Sequence, residues 1–317
     1  MGYRALIILT LFLLLQGCEK QSSPPIKLAI NPWPGYEFLY LADKKGFFKD
    51  VGLNIQLLQL VSLADTQRAY TKGQVDGLAS TLIEAVQAQP LGGKPLKIVL
   101  IPDYSNGGDV IISAPGITEV KQLKGKRVGA EIASLGIYVL ERALSKAGLT
   151  LADVSLVNIE QAQGEKAMQD AHIDAFVSYP PVSVTLLRNE GYQKIFGSDE
   201  IPREIIDTVS FSEEIIDKNP DLVEKFRQAW QMALEYANSN KDESYQLMAQ
   251  REGISKVEFI ATLDDLIILD IEEQGRLFEE GDDLQRAVID VCKTMVHVKS
   301  IEVDCNSYPD IIYRKNK

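Results

Sequence analysis

Aromatic and polar side chains gather in five short segments that are expected to follow strands. Trp33, Tyr36 and Tyr179 would supply flat, rigid walls for a ring or a short chain. Trp33 could equally pack against the prolines of its own loop. The polar candidates in these segments are Glu37, Ser80, Thr81, Asn106, Asp109, Glu131, Ser134, Tyr138 and Ser178. These residue types predict the capture of a small molecule.

The charges in these segments restrict the ligand. They contain Glu37, Asp103, Asp109 and Glu131 but no Lys or Arg. Burying a bare sulfonate or nitrate beside carboxylates is costly without a nearby cation, although amides at helix ends could offset part of that cost. We therefore expect a ligand that is neutral, zwitterionic or amine-bearing, such as an aminopyrimidine or an aminosulfonate.

The sequence lacks the usual catalytic patterns. His172 and His297 lie outside the candidate segments, and no GxSxG or Walker glycine pattern occurs. Neither histidine is at ligand spacing with Cys292 and Cys305, so we expect no metal site, no cofactor and no enzymatic activity. The two cysteines are 13 residues apart and could form a disulfide in an oxidising compartment, or remain two free thiols.

A repeated block of chain predicts the elements that position these segments. Gly52-Leu53 precedes a strand, a helix and a second strand ending at Ser80, and Gly148-Leu149 precedes the same series ending at Ser178. In each copy the glycine is expected to end a helix. Ligands of open α/β sheets lie beyond the carboxyl ends of the strands, so two such units would present their loops to each other across a cleft.

The expected fold class is therefore α/β with two lobes. We place the first lobe at residues 26–112, the second at 113–206, and the return to the first lobe with C-terminal helices at 207–317. Val110–Ser113 and Thr208–Phe211 would be the two hinge strands. Ser134 lies where the helix that continues to Ala147 should have its N-cap.

The N-terminus resembles an export leader. Arg4 precedes a short apolar run, Ala5 to Leu15, which at eleven residues falls below the roughly 20 needed to cross a bilayer. We expect a signal peptide at 1–17, lipidation of Cys18 and a polar tether over 18–25. An ordinary leader with a chance cysteine is the alternative. The formal net charge of −12 argues against nucleic acid or anionic lipid as a partner.

Several motifs resemble one family. The run Ile30 to Glu37, the Lys45-Gly46-Phe47-Phe48 segment and Leu123 to Gly129 are similar to the nitrate/sulfonate/taurine/thiamine-precursor group of ABC-transporter solute-binding proteins. The resemblance covers about Lys27 to Ala249 and implies a type II periplasmic-binding-protein fold, with two doubly wound lobes joined by a two-strand hinge. In that family Ser134 and the amides after it would bind an acidic head group, although a simple N-cap explains Ser134 equally well.

The resemblance also implies a role. We expect a monomeric lipoprotein, anchored by its lipid on the periplasmic side of a bacterial membrane, that delivers a small organic solute to an ABC permease. A ligand-sensing subunit for a membrane sensor protein is the alternative, and a structural or chaperone-like lipoprotein is a third. Some enzymes share the implied fold, but they work in the cytosol.

Overall fold

A computed structural model describes residues 24–279 and 282–315. The predicted signal peptide, Cys18 and the first part of the tether lie outside the described residues. The described chain is a mixed α/β structure with two five-stranded sheets and one two-stranded sheet. None of its described helices is long and apolar enough to cross a membrane.

The first sheet has the strand order β2-β1-β3-β11-β4. Strands β1 to β3 are parallel, and β11 is antiparallel to both of its neighbours. Helices cover the sheet and bury its strands. This burial explains why the strand sequences are almost continuously apolar. The strands are β1 (Ile26–Ile30), β2 (Ile55–Gln59), β3 (Gly77–Thr81), β4 (Leu96–Leu100) and β11 (Asp207–Ser212).

The second sheet has the order β10-β6-β9-β7-β8, which is the same arrangement read from the other edge. Strands β7, β8 and β9 are parallel, and β6 is antiparallel to both of its neighbours. We call the parts built on the two sheets lobe one and lobe two. The strands are β6 (Val110–Ser113), β7 (Arg127–Ala130), β8 (Ser155–Asn158), β9 (Ala175–Ser178) and β10 (Gln193–Gly197).

The repeated block is confirmed as one structural unit in each lobe. Each copy contributes a strand, a helix and a second strand, which lie at the same positions in the two sheets. Gly52 and Gly148 both follow the end of a helix with positive φ angles of 79° and 73°. Glycine adopts this left-handed conformation without the steric cost of a Cβ atom, which is why both helices stop there.

Two segments connect the lobes, but the predicted hinge positions were wrong. Strand β6 lies wholly in the second sheet and β11 wholly in the first. The chain crosses between lobes just before each of these strands, over residues 101–109 and 198–206. There the short strand β5 (Asp103–Ser105) pairs with β12 (Leu266–Ile268), and Tyr104 bridges to Ile206. The lobe boundaries at 112 and 206 stay a prediction.

Thirteen α-helices flank the sheets within the described residues. The segment Glu37 to Asp50 forms two helices, because Gly46 has a φ angle of 81° and ends the first of them. The helices are α1 (Glu37–Lys45), α2 (Phe47–Asp50), α3 (Leu63–Thr71), α4 (Leu82–Ala88), α5 (Leu135–Lys146), α6 (Gln161–Gln169), α7 (Val182–Leu187), α8 (Glu213–Lys218), α9 (Leu222–Ser239), α10 (Lys241–Glu252), α11 (Lys256–Asp264), α12 (Ile271–Glu279) and α13 (Asp283–His297).

The C-terminal helices complete lobe one. The fully buried Trp230 of α9 packs edge-on against Phe38 of α1. A disulfide joins Cys292 of α13 to Cys305, and α13 packs on α4 of the first lobe. The bond therefore ties the segment around Cys305 to α13, which packs on α4 of lobe one.

Candidate functional site

A narrow cavity lies where the two lobes meet, and its empty space of about 180 Å³ includes space open to solvent. Lobe one and its crossing segment supply most of its walls, and lobe two closes it. None of the nine described residues that line it is Lys or Arg. They are Asn31, Trp33, Tyr36, Leu63, Thr81, Asp109, Leu135, Tyr179 and Asp207. Asn31, Thr81 and Tyr179 belong to the carboxyl ends of β1, β3 and β9, the edge at which α/β sheets bind ligands.

Two cavity aspartates hold equivalent places in the two lobes. Asp109 immediately precedes β6 and Asp207 begins β11, and each of these is the antiparallel strand that follows a crossing between lobes. Both side chains are at least 98% buried. The amide of Asp109 donates to Ser105 Oγ, and its carbonyl accepts from the Ser198 amide. The hinge therefore places two carboxyl groups at the floor of the cavity.

Three aromatic side chains form its walls. Trp33 and Tyr179 meet edge to face, with ring centroids 6.2 Å apart, so one wall comes from each lobe. The Trp33 indole N–H donates to Asp103 Oδ1 at 3.3 Å. Tyr36 donates its hydroxyl to Asp207 Oδ1. These polar contacts hold the Trp33 and Tyr36 rings in place at the cavity.

The N-terminus of α5 is occupied by a carboxylate of the protein. Glu84 Oε1 accepts hydrogen bonds from Ser134 Oγ at 2.6 Å and from the Leu135 amide at 2.8 Å. The other oxygen, Oε2, accepts from the Thr81 amide and hydroxyl, which form the capping box of α4. Ser134 occupies the N-cap position, but its side chain caps no amide of its own helix. One glutamate thus accepts hydrogen bonds from the N-terminus of one helix in each lobe.

A second pair of contacts closes the other side of the cleft. The Tyr179 hydroxyl of lobe two accepts a hydrogen bond of 3.1 Å from the Leu63 amide, the first of α3 in lobe one. Glu131 of lobe two hydrogen-bonds with Ser62, the N-cap of α3, and accepts from the Gln161 amide at 3.3 Å. Ion pairs between Arg68 and Glu160 and between Arg188 and Glu258 also span the lobes. The structure is therefore a closed arrangement.

Burial changes the acidity of the carboxyl groups around the cavity. Desolvation raises the pKa of Asp109 to about 7 and that of Asp103 to about 7. It also raises the pKa of Asp207 well above the usual range, because the Asp103 and Asp109 carboxyl groups add repulsion. The same cause raises the pKa of Glu131 to about 7 and increases the pKa of Glu84. At Glu84 the hydrogen bonds from Ser134, Thr81 and the Leu135 amide oppose the rise in pKa.

The cavity includes five of the residues predicted for the site: Trp33, Tyr36, Thr81, Asp109 and Tyr179. Glu131 and Ser134 lie beside it, where they hold the lobes together instead of lining the space. Glu37 is turned away from it and forms a buried ion pair with Arg251 of α10. Its position in the first turn of α1 directs it into lobe one, so the expected ligand contact is not supported.

Four further predicted residues also have partners elsewhere. The Ser80 hydroxyl donates to the Thr81 carbonyl, and the Ser178 hydroxyl donates to Gln161. Tyr138 donates to Glu204 in the second crossing segment. The Asn106 amide donates to the Asp265 carbonyl near the hinge. None of these side chains lines the cavity.

Sequence reasoning missed Asn31, Leu63, Leu135 and Asp207, which line the cavity, and Glu84, which borders it. The sequence carried signals for Asn31 and Asp207, because Asn31 lies in the run Ile30 to Glu37 that resembles the family and Asp207 directly precedes the predicted hinge strand Thr208–Phe211. The sequence signal for Glu84 was stronger, since Thr81-Leu82-Ile83-Glu84 is a capping-box sequence. Within the described residues, no group of His, Cys, Asp and Glu is arranged to hold a metal ion.

These features define a two-lobed α/β fold of the periplasmic-binding-protein type. The solved structure of the periplasmic aliphatic sulphonate binding protein SsuA from Escherichia coli superposes with a TM-score of 0.75 at 18% identity, covering 93% of this chain and 94% of that one. The NMT1/THI5-like family model matches residues 33–244. The chain belongs to the NMT1/THI5-like family.

Two curated relatives of this chain have names that indicate different roles, one a binding protein and the other an enzyme. A Brucella abortus (strain 2308) protein, provisionally named as a binding protein, is 25% identical over 269 residues, which is 81% of each chain. A Saccharomyces cerevisiae protein named as 4-amino-5-hydroxymethyl-2-methylpyrimidine phosphate synthase is 24% identical over 236 residues, covering 68% of this chain and 67% of the relative.

Proposed function

We propose that this protein is the solute-binding component of an ABC importer and captures a small organic solute between its lobes. One observation carries the proposal: the cavity is enclosed only where both lobes meet, with Trp33 from one and Tyr179 from the other. A ligand in this position contacts both lobes only in the closed state, so binding selects closure. Closure would in turn present a changed surface to a permease.

In the closed arrangement this cavity leaves no free space for a molecule the size of water, so the lobes would have to separate for a solute to enter. Sulfonate-like or taurine-like solutes and aminopyrimidine-like solutes are the two chemical groups that the family suggests. The export leader and the lipid on Cys18 would place the protein on the periplasmic side of its membrane, and both belong to this proposal.

Binding is favoured over catalysis by the residues of the cavity. None of the nine lining residues is His, Cys or Lys, and the Ser134 and Thr81 hydroxyls are engaged by Glu84. The synthase name of the yeast relative makes an enzyme the competing candidate. Incubation with each bound compound, followed by mass spectrometry, separates the two, because a binding protein returns the compound unchanged.

A thermal-shift screen tests the proposal. The panel holds taurine, alkanesulfonates, nitrate, aminopyrimidine thiamine precursors, riboflavin and polyamines. A ligand at 100 times its dissociation constant adds about 2.7 kcal/mol to the free energy of unfolding and raises the melting temperature by a few degrees. Native mass spectrometry of the purified protein looks for a carried solute. If neither measurement finds a ligand in a broad panel, the solute-binding proposal fails.

A further inference from the structure

We propose that the cavity recognises a small organic cation whose charged group carries N–H donors, such as a primary ammonium or an amidinium, and that it rejects free sulfonates. This inference rests on the proposed solute-binding function and names the chemical class of its ligand.

Two acceptors of the cavity, Asn31 Oδ1 and Asp109 Oδ2, have no hydrogen-bond partner within the described residues. A third, Asp207 Oδ2, has none apart from the hydrogen bond that the Asp207 and Asp103 carboxyl groups share. Each of the three belongs to a residue that is at least 98% buried and lines the cavity. Buried polar groups are nearly always hydrogen-bonded, so an unpaired one needs an explanation. A ligand that brings N–H donors would satisfy all three.

The charges of the residues around the cavity also indicate a cationic ligand. Asp103, Asp109 and Asp207 lie together, and Glu84 and Glu131 border them, while the lining contains no Lys or Arg. Buried carboxylates without a cation are costly, so they retain protons until a cation arrives. The raised pKa values of Asp103 and Asp109 agree with this arrangement. An anionic ligand would find no cation among the lining residues and would be repelled by any carboxyl group that is ionised.

The donors that an anion would need are already used. The Leu135 amide and Ser134 hydroxyl, at the start of the twelve-residue helix α5, both donate to Glu84. The Leu63 amide at the start of α3 donates to the Tyr179 hydroxyl. A sulfonate could reach the start of α5 only by displacing a buried glutamate that also caps α4. The protein has thus filled its own anion site.

The walls also suit a cation. The lining includes the aromatic rings of Trp33, Tyr36 and Tyr179, a residue type whose quadrupole attracts positive charge over the ring face. Because the unpaired groups are hydrogen-bond acceptors, a cation with N–H donors gains more than a quaternary ammonium of similar size. The cavity therefore discriminates both by sign of charge and by donor content.

Four matched probes test this on the full-length protein by isothermal titration calorimetry at pH 8. Butylammonium is a donor-bearing cation, tetramethylammonium is a cation without N–H groups, 1-butanol is neutral and butanesulfonate is an anion. We expect butylammonium to bind at least tenfold more tightly than each of the other three. Equal or tighter binding of butanesulfonate overturns the inference. The absence of measurable binding for all four probes also overturns it.

Variants assign the binding to the cavity. Asp109→Asn and Asp207→Asn should each weaken butylammonium binding by about tenfold or more, whereas Asp290→Asn removes an equal charge from an exposed position on α13 and should change nothing. Unchanged affinity in both cavity variants overturns the inference. If a sulfonate binds, or native mass spectrometry finds an anionic solute, the cation inference fails while solute binding stands. If no solute of any class is found, the proposed function itself fails.

Discussion

The Glu84 carboxylate accepts a hydrogen bond of 2.6 Å from the Ser134 hydroxyl, across the cleft between the two lobes. The contact is completely buried, and the same oxygen accepts the first amide of α5. Helix N-termini attract anions because unpaired amides and the helix dipole point outward. Here the anion is part of the chain, so the contact both joins the lobes and closes a site that could otherwise hold a ligand's acidic group.

Replacing Glu84 should convert this contact into a binding site for small anions. We expect Glu84→Ala to lower the free energy of unfolding by about 2 kcal/mol or more, since donors of Ser134, Leu135 and Thr81 lose their buried partner. Acetate should restore part of the melting temperature of this variant and leave the native protein unchanged. Glu84→Gln retains one acceptor and should respond less. Equal effects of acetate on all three proteins would contradict this role.

Acidic pH should stabilise the ligand-free protein through its cavity. The pKa of Asp109 is about 7, against an ordinary 3.8, so the folded protein keeps a proton that the unfolded chain has released between these values. The free energy of unfolding therefore falls as pH rises from about 4 to about 7. Asp109→Asn should raise the melting temperature at pH 8 by a few degrees and flatten the pH profile, as measured by calorimetry. A steeper profile would contradict the assignment.

Binding of a cation should show the opposite pH dependence. The groups around the ligand are Asp103, Asp109, Asp207, Glu84 and Glu131, and burial raises the pKa of each. The complex holds fewer protons than the free protein, so butylammonium affinity should rise about tenfold between pH 6 and pH 8. Titration in buffers of different ionisation enthalpy should detect proton release. Proton uptake, or a flat profile, would exclude carboxylates as the partners of the cation.

Removing one hydroxyl at the cleft should favour the open state. Tyr179→Phe keeps the aromatic wall but leaves the Leu63 amide without its partner, and a hydrogen bond of this kind is worth about 1 kcal/mol. We expect several-fold weaker ligand binding and a larger radius of gyration by small-angle X-ray scattering. Tyr70→Phe removes a half-buried hydroxyl bond to the Lys94 carbonyl within lobe one. This control should change stability alone, and matching effects on binding would contradict the assignment of Tyr179 to closure.

The bond between Cys292 and Cys305 should stabilise lobe one. It closes a loop with a sequence separation of 13, for which chain entropy predicts about 3 kcal/mol. Reduction with a phosphine should lower the melting temperature by several degrees. The double variant Cys292→Ser/Cys305→Ser should melt at the lower temperature in both oxidising and reducing buffer. A native protein that is insensitive to reduction would show that the bond does not support the fold.

The architecture was predictable because it depends on local, repeated signals. Gly52 and Gly148 end helices through backbone geometry that few other residues adopt, and the strands beside them are short apolar runs. The aromatic walls at Trp33, Tyr36 and Tyr179 were predictable for a related reason, since each follows a strand whose carboxyl end faces the cleft. The hinge was misplaced because a strand's own sequence does not show which sheet it joins.

Residue types and spacing established the α/β class, the two related units, and a cleft rich in carboxyl groups and poor in cations. Tertiary structure decided the partners. It turned Glu37 towards Arg251 and placed Asp109 and Asp207 in the lining of the same cavity. It also brought Glu84 to the start of a helix 50 residues later in the chain. The physical reason is that burial and hydrogen-bond satisfaction are properties of packed surfaces. A carboxylate in a sequence has no partner until the fold supplies one.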